Sequence, residues 1–155
     1  MTASDRDVVA GLLGRVPRGF EVAVRDRAGA PVVISNPPIL DDSTPMPTRF
    51  WLVGREVTAA VSRLESAGGV KEAEGAVDPQ ALQAAHDRYA AERQREVPQG
   101  YRGAVPRGGV GGTRRGVKCL HAHLAWYLAG GDDPVGLWVA GRLGVDRAEF
   151  VVTGG

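Results

Sequence analysis

The hydrophobic pattern begins with a short helix and continues with alternating, strand-like positions. Apolar residues between Val8 and Leu13 recur at helical spacing, and Ser4 precedes them as a helix-capping residue. Residues 20–25 then alternate, a turn signal follows at residues 26–30, and residues 31–35 return as a second strand. A third strand is expected directly after the proline-rich stretch, at residues 49–53.

In most of the remaining chain, apolar residues recur at helical spacing. Helices are expected over about residues 56–67, from Asp78 to Glu96, from Thr113 or Val117 to Ala129, and from Asp133 onward. Gly68 and Gly69 are expected to stop the first of these helices.

This order of elements predicts an α+β fold in one domain over residues 1–155. The sheet is small and antiparallel, a hairpin plus a third strand, and packs against four to five helices. The tail over residues 145–155 is expected either to fray or to add a strand.

Composition narrows the class of protein. Hydrophobic residues make up 43% of the 155 residues and charged residues 24%, as in ordinary globular proteins, and the formal net charge of +1 disfavours nucleic acid as a partner. One cysteine permits no internal disulfide and fits a reducing compartment. The N-terminus is not typical of a signal peptide, and no run approaches the roughly 20 apolar residues that cross a bilayer. We therefore expect a cytoplasmic protein without membrane contacts.

Glycine dominates residues 98–112, which lack periodicity and predict a loop. A loop that leads into a helix presents unpaired N–H groups and the positive end of the helix dipole, which favour anions. We expect a small phosphorylated ligand here, bound by Gly111, Gly112, Thr113, Arg114, Arg115 and Lys118. The alternative is that the three cations are solvated surface residues. The phosphate-binding P-loop and dinucleotide signatures are both missing from the segment.

Cys119, His121 and His123 suggest thiol or metal chemistry. If they all belong to the helix, an advance of about 100° per residue separates Cys119 from His121 and places Cys119, His123 and Arg115 on one face. His121 is then expected in or near the core. Two ligands on a face are too few for a metal, so we expect no metal site and no cofactor. Cys119 and His123 remain candidates for catalysis, and the alternative is a buried, inert cysteine.

The proline-rich segment over residues 36–48 is a second candidate site. Its four prolines fix φ and remove hydrogen-bond donors, and long polar loops of this kind are frequently functional. Asp41 and Asp42 are either acid–base groups or turn formers. Arg49, which follows the loop, joins the candidate ligand-binding residues.

Two motifs resemble a known family. Residues 40–52 read LDDSTPMPTRFWL and residues 111–123 read GGTRRGVKCLHAH, while LLGRVPRG near the start and AAVSRLE at residues 59–65 also fit. Together they resemble, over nearly the whole chain, the uncharacterised bacterial family termed domain of unknown function 501. The resemblance implies a cytosolic bacterial protein and brings no established activity.

Two further expectations follow from this resemblance. Members of the family are often encoded near a septum-formation initiator and an exopolyphosphatase-like phosphatase, which favours phosphate-rich ligands. Many relatives carry cysteines in the hairpin turn and a Cys or His after the third strand, where this chain has Asp26, Ala28 and Gly54. If relatives bind a metal through those residues and Cys119, this chain has lost most of the set.

Three functions therefore compete. The preferred hypothesis is an anion-binding module built on the glycine-rich loop and the helix start. The second is an enzyme that uses Cys119 or His123 on a phosphate or acyl group. The third is an interaction module linked to cell division, which would dock a protein partner through the charged helix over residues 78–96.

Overall fold

The computed structural model describes residues 4–153, which form six α-helices and a four-stranded antiparallel sheet. This is the α+β class that the sequence predicts. The helices are α1 (Asp5–Leu13), α2 (Arg55–Ser66), α3 (Gly69–Ala76), α4 (Pro79–Arg95), α5 (Leu120–Leu128) and α6 (Pro134–Leu143). The strands are β1 (Glu21–Asp26), β2 (Pro31–Ser35), β3 (Phe50–Leu52) and β4 (Phe150–Val152), with short 3₁₀ turns at Val110–Gly112 and Arg147–Glu149.

The sheet has the order β3-β2-β1-β4. The predicted hairpin of β1 and β2 is confirmed, and its turn closes where the Asp26 amide donates to the Ala30 carbonyl at 2.9 Å. The predicted third strand is also confirmed, since Val33 pairs with Leu52. The tail forms the fourth strand, which pairs with β1 at the edge of the sheet, so the described part of the tail adds a strand. Gly154 and Gly155 lie outside the described residues.

Side-chain caps begin three of the helices at residues that the sequence singles out. Ser4 accepts the Asp7 amide at 3.2 Å, Asp78 accepts the Ala81 amide at 2.9 Å, and Asp133 accepts the Val135 amide at 2.9 Å. Each cap satisfies an N–H group that has no partner within its own helix. Local sequence thus determines where these helices start.

Helix α3 is not predicted by the spacing of apolar residues in the sequence. Gly68 and Gly69 do end α2, as expected, but a new helix begins at once. Gly68 adopts φ of 93°, which reverses the chain direction at low cost only for glycine. Gly69 is buried, and a Cβ there would lie 2.7 Å from the Leu64 side chain. The pair therefore acts as a corner between two helices.

The apolar core lies on both faces of the sheet. The larger cluster fills the space between one face of the sheet and helices α2–α6, with Trp126, Leu120 and Val33 almost fully buried. A smaller cluster of Val9, Ile34 and Val53 lies under α1 on the other face. Within residues 4–153, no helix is long and apolar enough to cross a membrane.

Helices α5 and α6 approach each other closely at Gly136. A Cβ there would lie 2.3 Å from the Tyr127 Cβ and 2.7 Å from the His123 carbonyl oxygen, whereas a Cβ at Gly141 on the same helix would meet nothing within 4 Å. We expect Gly136→Ala to lower the free energy of unfolding by about 1–3 kcal/mol through overpacking. Gly141→Ala, the control, should raise it by up to about 1 kcal/mol through helix propensity. Urea unfolding measures both changes, and equal effects would contradict the close approach.

Candidate functional site

The segment of residues 111–123 is mostly loop. Helix α5 begins at Leu120 and not at Thr113 or Val117, because Cys119 is still extended, with φ of −148°. The Leu120 amide donates to the Glu65 carboxylate at 2.8 Å, and the Val117 amide donates to the Glu74 carboxylate at 2.6 Å. The negative charge that we expected from a ligand at this helix start is therefore present within the chain, on α2 and α3.

The later helix start brings Cys119 and His121 together. The predicted separation of about 200° between them required both residues to be helical, and that prediction is wrong. The Cys119 Sγ lies 3.9 Å from the His121 Nδ1, and the Glu65 Oε1 lies 3.3 Å from the same nitrogen. A sulfur, a nitrogen and a carboxylate oxygen thus all lie within 4.8 Å of one another. They form what we call the Cys119 site, namely Glu65, Cys119 and His121.

The other ring nitrogen of His121 is held by α2. Its Nε2 lies 3.3 Å from the Thr58 carbonyl and 3.1 Å from the Ser62 hydroxyl. Because a carbonyl only accepts, Nε2 carries a proton and donates it to Thr58. Nδ1 faces both the Cys119 thiol and the Glu65 carboxylate, so it can take the thiol proton and the carboxylate then stabilises the charged ring. This arrangement orients a base toward a nucleophile through a third group.

The surroundings favour the ionised form of both side chains. Burial and the negative charge of Glu65 oppose ionisation of Cys119, but the His121 ring and the Ala122 amide outweigh them, so the pKa of the thiol lies below its ordinary value. The Cys119 thiol and the Glu65 carboxylate raise the pKa of His121 against the effect of burial. Both shifts favour a thiolate–imidazolium pair over two neutral groups.

The Cys119 site borders a pocket of about 360 Å³. Cys119, His121 and Gly111 line one side of it, while Leu13 and Trp51 contribute apolar walls. Gly111 adopts φ of 70°, and a Cβ there would lie 3.9 Å from the Cys119 Cβ. The glycine-rich loop therefore forms a wall of the pocket next to the thiol.

His123 lies in the core, so the prediction that it shares a face with Cys119 and Arg115 is wrong. Its Nδ1 is 2.7 Å from the Asp133 carboxylate, and both side chains are 0% exposed. The reason is again the helix start, because a helix from Leu120 turns His123 toward α6. His121, which was expected in the core, is a quarter exposed and reaches the pocket.

The predicted cationic residues do not join the Cys119 site. Arg114, Arg115 and Lys118 are exposed, and within residues 4–153 their charged groups make no hydrogen bond or ion pair. Thr113 donates to the Arg115 carbonyl at 2.8 Å and so shapes the loop locally. Gly112 packs near Pro47, so the glycine-rich and proline-rich loops are neighbours.

Arg49 borders a different, more polar pocket of about 440 Å³, together with Asn36 and Glu96. Its guanidinium lies over the Phe50 ring, 4.8 Å from the ring centre. The same group lies 3.9 Å from the Glu96 carboxylate. The structure therefore separates Arg49 from the other predicted ligand-binding residues.

The aspartates of the proline-rich loop line neither of these two pockets, the one beside Arg49 or the one beside Cys119. Asp42 forms an ion pair with Arg18, and its hydrogen bonds to Thr44 lower the pKa of the Asp42 carboxyl to about 2. Asp41 lies 3.5 Å from the same arginine. Of the two expectations for these residues, Asp42 has the geometry of a turn former.

Helix α4 contributes residues that sequence reasoning treated only as core or surface. Arg93 is 3% exposed and donates to the carbonyls of Pro47 at 2.9 Å and Gly108 at 2.7 Å. The Tyr89 hydroxyl accepts the Arg49 amide at 2.6 Å. Glu65 was likewise missed as a site residue, although it ends the AAVSRLE motif. The available signal was Arg93, a charged residue that follows Leu82, Ala85 and Tyr89 at the apolar spacing of α4.

These features define a small α+β domain with a thiol, an imidazole and a carboxylate beside a pocket. The family model for proteins of unknown function designated DUF501 matches residues 22–141, and the chain belongs to this family. No curated protein and no solved structure matches the chain.

The two histidines should respond to mutation in opposite ways. His123→Ala leaves the buried Asp133 carboxylate without its partner and should lower the free energy of unfolding by about 3–5 kcal/mol. Its Cys119 alkylation rate should match that of the wild type under native conditions. His121→Ala, the control, should cost about 1 kcal/mol or less but slow alkylation. Urea unfolding and alkylation kinetics check this, and the reverse outcome would restore the predicted Cys119–His123 face.

Proposed function

We propose that this protein is an enzyme that uses the Cys119 thiolate as a nucleophile on an acyl group. One observation carries the proposal: the thiol of Cys119, the Nδ1 of His121 and the Glu65 carboxylate meet beside a pocket that Cys119 and His121 also line. Catalysis by Cys119 was the second hypothesis from the sequence, and His121 now takes the role considered for His123.

The chemistry would follow from the positions of these groups. The Cys119 S–H proton moves to His121 Nδ1, and the thiolate forms an S–C bond to the acyl carbon. The bond to the leaving group then breaks, and His121 returns the proton to that group. Water hydrolyses the resulting thioester, with His121 as the base. Glu65 stabilises the imidazolium in each half-reaction, while Thr58 holds the ring in place.

The pocket favours a substrate with an apolar portion next to the acyl carbon. Its apolar walls come from α1 and β3, through Leu13, Trp51 and Leu52. Burial of an aliphatic or aromatic group there would contribute roughly 25 cal/mol for each Å² of apolar surface removed from water. We therefore place carboxylic esters, thioesters and amides with a small apolar substituent first among substrate classes.

Cys119 is the only cysteine, so alkylation reports on this thiol alone. Because its pKa is lowered, iodoacetamide should react with it at about pH 7 severalfold faster than with N-acetylcysteine. The midpoint of the pH profile should lie below that of the free thiol. His121→Asn should slow the reaction at about pH 7 by about tenfold, since the base is removed. Rates are measured by mass spectrometry of the intact protein.

Glu65→Gln serves as the matched control, since it keeps the shape of the side chain and removes its charge. We expect an intermediate rate. Loss of the carboxylate makes the charged His121 ring less stable, but it also removes a negative charge that opposes the thiolate, and Thr58 still orients the ring. Two outcomes would overturn the proposal: a thiol that titrates like the free amino acid, or stoichiometric zinc in the purified protein that protects Cys119 until a chelator removes it. The second outcome would make the Cys119 site a metal site.

Anion binding is the second candidate function, and one observation favours it. Residues 97–131 contain Arg102, Arg107, Arg114, Arg115 and Lys118 but no aspartate or glutamate. These five side chains are exposed, and within residues 4–153 their charged groups make no ion pair. Such a basic surface would attract phosphate-bearing ligands through the side chains. Since Glu65 and Glu74 already bind the Leu120 and Val117 amides, backbone N–H groups would contribute less than the sequence suggests.

A thermal-shift assay with inorganic polyphosphate tests this candidate. Removing positive charge weakens anion binding, so the double variant Arg114→Ala/Arg115→Ala should lose most of the stabilisation. Arg63→Ala/Arg95→Ala removes two exposed arginines from α2 and α4 and should retain the stabilisation. Equal loss in both double variants would reduce the effect to nonspecific attraction by net charge.

The docking role considered for residues 78–96 remains a prediction. The inner face of α4 is buried through Leu82, Ala85 and Tyr89, so only its outer face is available to a partner.

A further inference from the structure

His86, on the buried face of α4, hydrogen-bonds two points of the glycine-rich loop. Its Nδ1 accepts the Val110 amide proton at 3.0 Å, and its Nε2 lies 2.8 Å from the Gly116 carbonyl oxygen. The side chain is 2% exposed. Because an amide only donates and a carbonyl only accepts, both bonds form only when the ring is neutral and its proton is on Nε2.

The chain between these two hydrogen bonds is the part of the loop that reaches the Cys119 pocket. It includes Gly111, which lines the pocket beside Cys119, as well as the exposed Arg114 and Arg115. Gly109, just before it, packs directly on the His86 ring, where a Cβ would lie 2.3 Å from Nδ1. His86 therefore holds this wall of the pocket at Val110 and Gly116, beyond the point where Arg93 binds the Gly108 carbonyl.

We propose that neutral His86 is a proton-sensitive latch, which holds residues 109–116 against the Cys119 pocket and releases them when the ring is protonated. A proton on Nδ1 would point at the Val110 N–H, so two donors would face each other and that hydrogen bond would be lost. Val110 would then be held only indirectly, through the hydrogen bond from Arg93 to the Gly108 carbonyl two residues earlier.

The charged and titratable groups around His86 determine the direction of the pH effect. The His123 ring from α5 lies 5.9 Å away at an edge-to-face angle, and Asp133 at the start of α6 is bound to His123. Asp87 is its neighbour on α4, and Glu74 from α3 borders the loop at Gly116.

Burial lowers the pKa of His86 and outweighs the Gly116 carbonyl, Asp133 and Asp87, which favour the charged form. In the released loop the ring regains an ordinary pKa, about 6.5. The attached state is therefore stable above that value and is progressively lost as the pH falls below it toward the lowered pKa.

The inference concerns the loop and does not require Cys119 to be a nucleophile. It gives the pocket of the proposed enzyme a pH-dependent wall, and it would hold equally if the pocket only bound a ligand. Failure of the alkylation test would therefore leave the latch intact, and failure of the latch would leave the thiol chemistry intact.

Hydrogen exchange of the full chain between about pH 7.5 and about pH 5 tests the latch. After correction for intrinsic exchange rates, the protection of the Val110 amide should fall by about tenfold for each pH unit below 6.5, until the lowered pKa of His86 is reached. Amides in the middle of α2 serve as the internal reference and should change far less. NMR of the histidine rings should show His86 titrating at the acid end of this range, because the ring stays neutral while the loop is attached.

His86→Asn is the matched variant. Its amide oxygen can accept the Val110 N–H near the position of Nδ1 and does not titrate, so protection should become independent of pH after the same correction. If this variant is unstable, the ratio of Cys119 rates with a bulky and a small maleimide gives a second measurement in the wild type. The thiolate fraction affects both rates equally and therefore cancels in the ratio. The ratio of the bulky to the small reagent should rise severalfold at low pH, as the loop moves away from the pocket.

Three results would overturn the inference. Protection of Val110 could stay constant while His86 titrates, protection could fall equally in His86→Asn, or the maleimide ratio could be flat across the pH range. Each would show that the proton on His86 does not control the loop.

Discussion

Hydrogen bonds from one face of α4 to the backbone of two loops are the constraint on which the candidate site depends. His86, Tyr89 and Arg93 are spaced so that they lie on one side of the helix, and all three are buried. They bind backbone groups in residues 106–116 and in residues 47–49. Loops rich in proline and glycine satisfy few of their own polar groups, so a helix that supplies the missing partners also determines their path.

The start of α5 shows how charge within the fold decides local structure. The two carboxylates from α2 and α3 bind amides ahead of and at the helix start, where its dipole is positive. Helix formation therefore begins at Leu120, and the cations that precede it stay in the loop, away from the first turn. Glu65 has a second effect, because the same carboxylate also contacts His121 and so joins the helix cap to the Cys119 site.

Two histidines that are two residues apart consequently serve different purposes. His121 lies at the edge of the pocket, with one nitrogen toward the thiol and the other bound to α2. His123 points into the core, where its hydrogen bond to the Asp133 cap links α5 to α6. A third histidine, His86, lies against His123 and carries the glycine-rich loop. One shift in the helix start separates an imidazole at the edge of the pocket from one in the core.

The sequence by itself determined the elements whose signals are local. Alternation, capping residues and helical spacing are properties of neighbouring positions, so the hairpin, the third strand, three capped helix starts and the α+β class could all be predicted. It also marked Cys119 and the glycine-rich loop as candidates. Only the tertiary structure decided the start of α5, because Glu65, which accepts the Leu120 amide, and Glu74, which accepts the Val117 amide ahead of the helix, are distant in the chain. The orientation of His121 toward Cys119 and the role of His86 depend on long-range contacts of the same kind, which hydrophobic periodicity does not encode.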